Sequence, residues 1–341
     1  MARAIDEAAR RAARARQRVL LKPLGSLGRL EDLAVWLAGV TGDAEPEVRA
    51  LVVVAAADHG VAAEGVSAYP QAVTAQMLDA FLGGGAAISV LARGVGAELR
   101  LVDAGVATRG GADPRIVRTG LAPSANLVRE PALEPAALAT ALATGRRIAR
   151  EAAAAGITVL VGGDMGIANT TPATCLAAWL TGRDPHELCG RGTGIDDAGL
   201  ARKRTTVARA LTLHGPHMTG PEEALRRVGG GELAVLCGLA LGAADHGLAY
   251  VCDGLIATAA VAVADAIEPA VGPRLLAGHR SPEPAHGALL AHLGLEPVLD
   301  LGMRLGEASG ATVALAILEL ACALHAQMDT FADARVAGCE P

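Results

Sequence analysis

Short runs of β-branched and aliphatic residues, each ending in a carboxylate and a glycine, recur along the chain between longer Ala-rich stretches. They are Leu51-Val52-Val53-Val54 before Asp58-His59-Gly60, Leu99 up to Asp103-Ala104-Gly105, Val159-Leu160-Val161 before Asp164-Met165-Gly166, Tyr250-Val251 before Asp253-Gly254, and Val298-Leu299 before Asp300-Leu301-Gly302. Apolar strands alternating with helices predict an α/β fold, a parallel Rossmann-like sheet flanked by helices on both faces. Ligands of such sheets bind outside the carboxyl ends of the strands, where each of these carboxylate and glycine pairs falls. The expected site is lined by aspartates and shaped by glycines, although Asp-Gly after any single strand is also ordinary turn chemistry.

The first 45 residues read as helical, and a long apolar helix begins at Ser309 and runs to about Met328. The expected organisation is a large α/β domain over residues 46–308 and a small helical domain formed from both chain termini, 1–45 with 309–341. No repeat and no low-complexity linker interrupts this scheme.

Composition narrows the function classes. Of 341 residues, 52% are hydrophobic and 19% charged, with no uninterrupted apolar run of membrane-spanning length, so a soluble protein with a sizeable core is expected and a membrane is not a partner. A net charge of −6 and an aromatic content of 2% remove the basic field and the stacking rings on which nucleic-acid binding depends. Six separated cysteines (Cys175, Cys189, Cys237, Cys252, Cys322, Cys339) form no CxxC pair and read as reduced thiols of a cytoplasmic protein. Met1 to Leu21 is interrupted by Asp6 and Glu7 and reads as a helix, with no apolar core or cleavage site of a targeting signal. The basic residues are nearly all arginine; the lysines are Lys22 and Lys203 alone.

Three segments carry candidate chemistry. Gly162-Gly163-Asp164-Met165-Gly166-Ile167-Ala168-Asn169-Thr170-Thr171-Pro172 runs from a strand end through a Gly-rich loop into a helix start, where free backbone N–H groups favour an anion and Asn and Thr are suited to cap. Cys189-Gly190-Arg191-Gly192-Thr193-Gly194-Ile195-Asp196-Asp197 leads into a helix carrying Lys203, a point charge for phosphate. Gly302 to Gly310 places Glu307 at the start of the long last helix, with Ser309 as its expected cap; partial burial there raises a carboxylate towards useful basicity. No Walker loop, dinucleotide fingerprint or GxSxG elbow is present. Asp58, His59 and His246 leave a metal-dependent hydrolase open as an alternative, without metal-ligand spacing to support it, and a non-catalytic nucleotide sensor is a further one.

Taken in order, Lys22-Pro23, Gly25 to Glu31, Ala57-Asp58-His59-Gly60-Val61, Glu64 to Gln71, Asn169-Thr170-Thr171-Pro172, Gly278-His279-Arg280-Ser281 and Arg304-Leu305-Gly306-Glu307 resemble the nicotinate-nucleotide:dimethylbenzimidazole phosphoribosyltransferase family over nearly the whole chain. The resemblance implies transfer of 5-phosphoribosyl from nicotinate mononucleotide to a benzimidazole base in a homodimer that needs no cofactor or metal. It implies Glu307 as general base, with Asp164 supporting it. By the same resemblance Gly166 and Lys203 hold the nucleotide, with Gly192 and the helix start at Asn169, Thr170 and Thr171 nearby, and Tyr69 and Gln76 belong to the segment around the benzimidazole. Many members have glutamate where this chain has Asp164. Another azole or purine base as acceptor stays open, because selectivity between such bases rests on small steric differences.

Overall fold

The computed structural model describes residues 2–107 and 113–337. Six strands form one sheet: β1 (Ala50–Ala56), β2 (Glu98–Asp103), β3 (Ile116–Arg118), β4 (Val159–Met165), β5 (Ala249–Cys252) and β6 (Leu275–Ala277). All neighbours are parallel, in the order β3-β2-β1-β4-β5-β6. The chain thus builds outward from β1 to one edge and then returns to β4 on the other side of β1. This reversal is the switch point of a Rossmann sheet, and it opens a crevice between the ends of β1 and β4.

Strand alternation divides the core into two layers. Leu51, Val53, Leu160, Tyr250 and Leu275 face one side, under helices Pro135–Ala154, Thr170–Thr181, Gly231–His246 and Leu255–Ile267. Val52, Val54, Val159, Val161, Val251 and Leu276 face the other, under helices Arg29–Thr41, Ala72–Leu82, Ala87–Gly94 and Ser309–Gln327. Strand β1 is buried at every position, which is why it is a continuous apolar run instead of an alternating one.

Helices from the two ends of the sequence meet on the second face. The Arg16 guanidinium donates to the carbonyls of His325 and Ala326, Gln17 is hydrogen-bonded to His325, and Leu20 bridges to Thr330. Helix Ser309–Gln327 is long and apolar enough to cross a membrane by composition alone. Here Leu315 and Leu318 share a hydrophobic cluster with the sheet and with Leu33 and Leu37 of helix Arg29–Thr41.

One expectation about strands needs correction. Val298-Leu299 is not a strand. Pro297 precedes it, and its backbone donates to Ala277 and Gly278 as a short bridge continuing past β6. The edge strands β3 and β6 are three residues long and give little pattern to read. The five described cysteines are free and buried, while Cys339 lies outside the described residues.

Candidate active site

Strand β4 ends in Gly162-Gly163-Asp164-Met165, with Asp164 in register with Ala55 of β1. The glycines are there because neighbouring groups lie directly on them, the turn at residues 304–308 above all. A methyl group at Gly163 would stand 2.1 Å from the Ala308 nitrogen. That turn ends in two successive left-handed residues that are not glycine, Glu307 (φ 60°) and Ala308 (φ 65°), a strained conformation for L-residues. It is fastened by the Glu307 N–H, which donates to the Asp164 carbonyl at 3.2 Å. Ser309 does not cap the helix that follows. Ala308 stands at the cap position, and the Ser309 hydroxyl is buried without a partner.

Three carboxylates converge around this junction. Glu307 is 5% exposed and one of its oxygens, Oε2, is buried without a hydrogen bond. Burial, and then the negative charge of Asp253, hold its affinity for a proton above the usual carboxylate range, against an opposing N–H from Ile88. Asp164 is pushed up to about 8, first by burial and then by the charge of Asp253, with Glu232 and Glu307 adding to it. A 2.8 Å hydrogen bond from Asn169 Nδ2 works the other way. Asp253, at the end of β5, accepts from the Ala311 N–H at 2.9 Å and leaves Oδ2 unpartnered. His279 Nε2 stands 3.4 Å from Asp253 Oδ1.

Beside the carboxylates is a cationic corner. Lys203 is fully buried; its ammonium donates to Thr170 Oγ1 at 2.8 Å and to the Gly190 carbonyl at 3.1 Å. Burial lowers its affinity for a proton, and the charge of Glu283 partly restores it. Gly192, at φ 53°, lies against the same threonine. A cavity of about 100 Å³ joins the two halves, lined by Asp164, Gly166, Asn169, Thr170, Gly192, Thr193, Gly254, His279, Ser281, Glu283 and Arg304 to Gly306 among others. A smaller one of about 30 Å³ continues along Gly166, Asn169, Thr170 and Gly192 towards Val66 and Ser67.

The residues singled out in the sequence are distributed unevenly. Asp164, Gly166, Asn169, Thr170 and Gly192 line the cavity, with Lys203 immediately behind. Thr171 turns inward; its hydroxyl is buried without a partner and does not line the cavity. Asn169 occupies the helix cap position without capping, because its amide serves Asp164. Tyr69 is 52% exposed and Gln76 lies on the exposed side of helix Ala72–Leu82, so neither borders this cavity. Lys22 is spent on Glu31 of helix Arg29–Thr41, at 2.8 Å, and does not border it either. His59 is engaged by Glu232 at 2.7 Å and Ser124 at 3.2 Å, while His246 closes helix Gly231–His246; among the described residues no His, Cys, Asp and Glu group is arranged to hold a metal. Glu283 escaped sequence reasoning. Its only signal was its position two residues after the Gly278-His279-Arg280-Ser281 motif.

A Rossmann-ordered sheet with protonatable carboxylates at its switch point, and a buried lysine among Gly-rich loops beside them, is the arrangement of an α/β enzyme with a pocket suited to an anionic small molecule. Comparison with known proteins gives the particular kind. The phosphoribosyltransferase family pattern matches residues 2–336. A nicotinate-nucleotide–dimethylbenzimidazole phosphoribosyltransferase from Azotobacter vinelandii is 51% identical over 339 residues, covering 98% of this chain and 96% of the relative. One from Chloroflexus aurantiacus is 48% identical over 334 residues, 97% and 95% of the two chains. The crystal structure of the Thermus thermophilus protein of that name superposes with a TM-score of 0.91 at 43% identity, covering 98% of this chain and all of that one. The chain belongs to the nicotinate-nucleotide–dimethylbenzimidazole phosphoribosyltransferase family.

Proposed function

We propose that this chain transfers the 5-phosphoribosyl group of nicotinate mononucleotide to 5,6-dimethylbenzimidazole, giving α-ribazole 5′-phosphate and nicotinate. The observation that carries the reading is Glu307, a buried carboxylate with a spare oxygen and raised proton affinity, fixed by a strained turn at the edge of the cavity. It takes the azole N–H proton while the other ring nitrogen attacks the anomeric carbon of the ribosyl group. The bond from that carbon to the pyridinium breaks, and its electron pair neutralises the nicotinate ring. Inversion at carbon follows from attack on the face opposite the leaving group. The departing ring is already cationic, so it leaves without a proton donor.

The phosphate lies against Lys203, Thr170 and the backbone of Gly166 and Gly192, where a point charge and loop N–H groups favour it. Asp164, with a pKa of about 8, carries a proton at neutral pH and offers the ribose a donor, steadied by Asn169. Thr171 supports the loop from inside, and Tyr69 and Gln76 belong to the segment assigned to the acceptor base. A homodimer, cytoplasmic residence and the division into a large unit at 46–308 and a terminal helical unit complete the proposal. Sedimentation at micromolar concentration tests the dimer. Five buried free thiols support a reducing compartment.

The deciding experiment incubates metal-stripped protein with nicotinate mononucleotide and 5,6-dimethylbenzimidazole and separates the products by chromatography with mass detection. Stoichiometric α-ribazole phosphate and nicotinate are expected. Nicotinate alone would identify a hydrolase or another acceptor, and no turnover would overturn the reading.

A further inference from the structure

We propose that Glu283 makes the phosphate site selective, disfavouring free inorganic phosphate relative to a phosphate ester joined to a cationic ring. The inference rests on the reading of Lys203, Thr170 and Gly192 as the phosphate site. Glu283 stands at the cap position of helix Pro284–Leu293 without capping it. Its side chain reaches across to the loop at residues 190–192 instead, where Oε1 accepts from the Gly192 N–H at 2.8 Å. A methyl group at Gly190 would stand 2.1 Å from Oε2, so the loop is shaped around this carboxylate. Oε2 itself is buried and has no hydrogen-bond partner.

A carboxylate thus holds a donor that the phosphate subsite needs, at the edge of the cavity it lines. The ammonium of Lys203 is committed to Thr170 and Gly190, and it feels the charge of Glu283 from a distance. An arriving phosphate therefore meets a negative charge and a donor already in use. To take the Gly192 N–H it must displace a carboxylate from a 2.8 Å charge-assisted hydrogen bond, which adds to the cost of entering. Inorganic phosphate has nothing else to offset that repulsion. A pyridinium nucleotide does, because its cationic ring is drawn to the negative charge of Asp253 and Glu307 behind the Asp164 end of the same cavity. Glu283 is on this view a specificity-determining residue. A simple loop anchor would have the opposite effect, since losing it would weaken every anion.

The test compares the full-length wild type with Glu283→Gln, which keeps the shape and an acceptor for Gly192 but removes the charge. Calorimetric titration with inorganic phosphate at constant ionic strength is paired with its inhibition constant against nicotinate mononucleotide. Phosphate is expected to bind the variant about tenfold more tightly or better, the effect of removing one charge a few ångströms away in a partly desolvated site. The gain should exceed any gain for the nucleotide. Unchanged or weaker phosphate binding overturns the proposal. Wild-type crystals soaked in phosphate give an independent readout: Glu283 should leave the Gly192 N–H, and a Glu283 still bonded there beside a Lys203-bound phosphate also overturns it. Lys203→Ala in the same titration separates the two levels of argument. If phosphate affinity survives that change, the phosphate site itself has been misplaced, whatever Glu283 does.

Discussion

A general base must be ionised to act, and the surroundings of Glu307 set where that happens. Because burial and Asp253 raise its proton affinity, the acid limb of the kcat/KM profile should lie above 4.5, the ordinary value for such a side chain. Glu307→Gln should lower turnover by about 10² to 10⁴ and remove that limb, with folding retained. A limb that persisted in the variant would belong to another group, Asp164 being the nearest candidate. His59 is a different kind of residue, buried completely against Glu232. Burial alone would lower its proton affinity, but Glu232, and to a lesser degree Asp58 and Asp164, raise it. The contribution of the charged pair is therefore fully present below about pH 6.5 and is lost as pH rises through the higher folded value. Glu232→Gln should destabilise the protein by about 3 to 5 kcal/mol at pH 6 and by less at pH 9. Urea midpoints at the two pH values measure this, and an equal loss at both would mean the histidine is neutral throughout.

Among the elements, the contact between the end of β4 and the start of the last long helix carries the site. Gly163→Ala puts a methyl group into the Ala308 backbone, which cannot yield without moving Glu307. The expected cost is about 1 to 3 kcal/mol of stability with a loss of activity out of proportion to it, read by thermal melting and turnover on the same preparation. A variant that melted lower yet kept full turnover would show that the turn tolerates displacement. The strands that support this junction were legible because β1, β2, β4 and β5 are apolar runs ending in acid and glycine. Strands β3 and β6 were not, since three residues at a sheet edge present no period, and Val298-Leu299 imitated a strand because a bridge uses the same residues as a ladder. Asp164, Asn169, Thr170, Gly192 and Lys203 could be picked out by loop chemistry and by the rarity of lysine. Their mutual geometry could not, because Asn169 as a cap and Asn169 as a partner of Asp164 look alike in sequence. Glu283 was invisible for a similar reason: it acts on a loop some ninety residues earlier.

For the molecule as a whole, the carboxylate cluster makes stability depend on pH in an unusual direction. Asp164 keeps its proton to about 8 when folded, while in the unfolded chain it titrates near 3.8. Between those values the unfolded state has released a proton that the folded state retains, so this residue favours unfolding increasingly as pH rises. Denaturant stability should fall from pH 5 to pH 8, and Asp164→Asn should flatten that slope. A slope unchanged by the substitution would assign it to other groups.

The fastening of one end of the sequence to the other has a consequence for how the protein is made. Arg16 and its partner His325 are 309 positions apart, which at 5–20 residues per second is on the order of 15 to 60 s of ribosomal work. Until that interval ends, Val52 and Val54, and Val161 once it is made, lack one of the four helices that cover them, since Leu315 and Leu318 have not yet been synthesised. The nascent chain therefore carries, once β4 is made, a sheet face only partly covered by its earlier helices, and its yield in a cell should depend on the supply of chaperones able to shield that face until the last helix arrives.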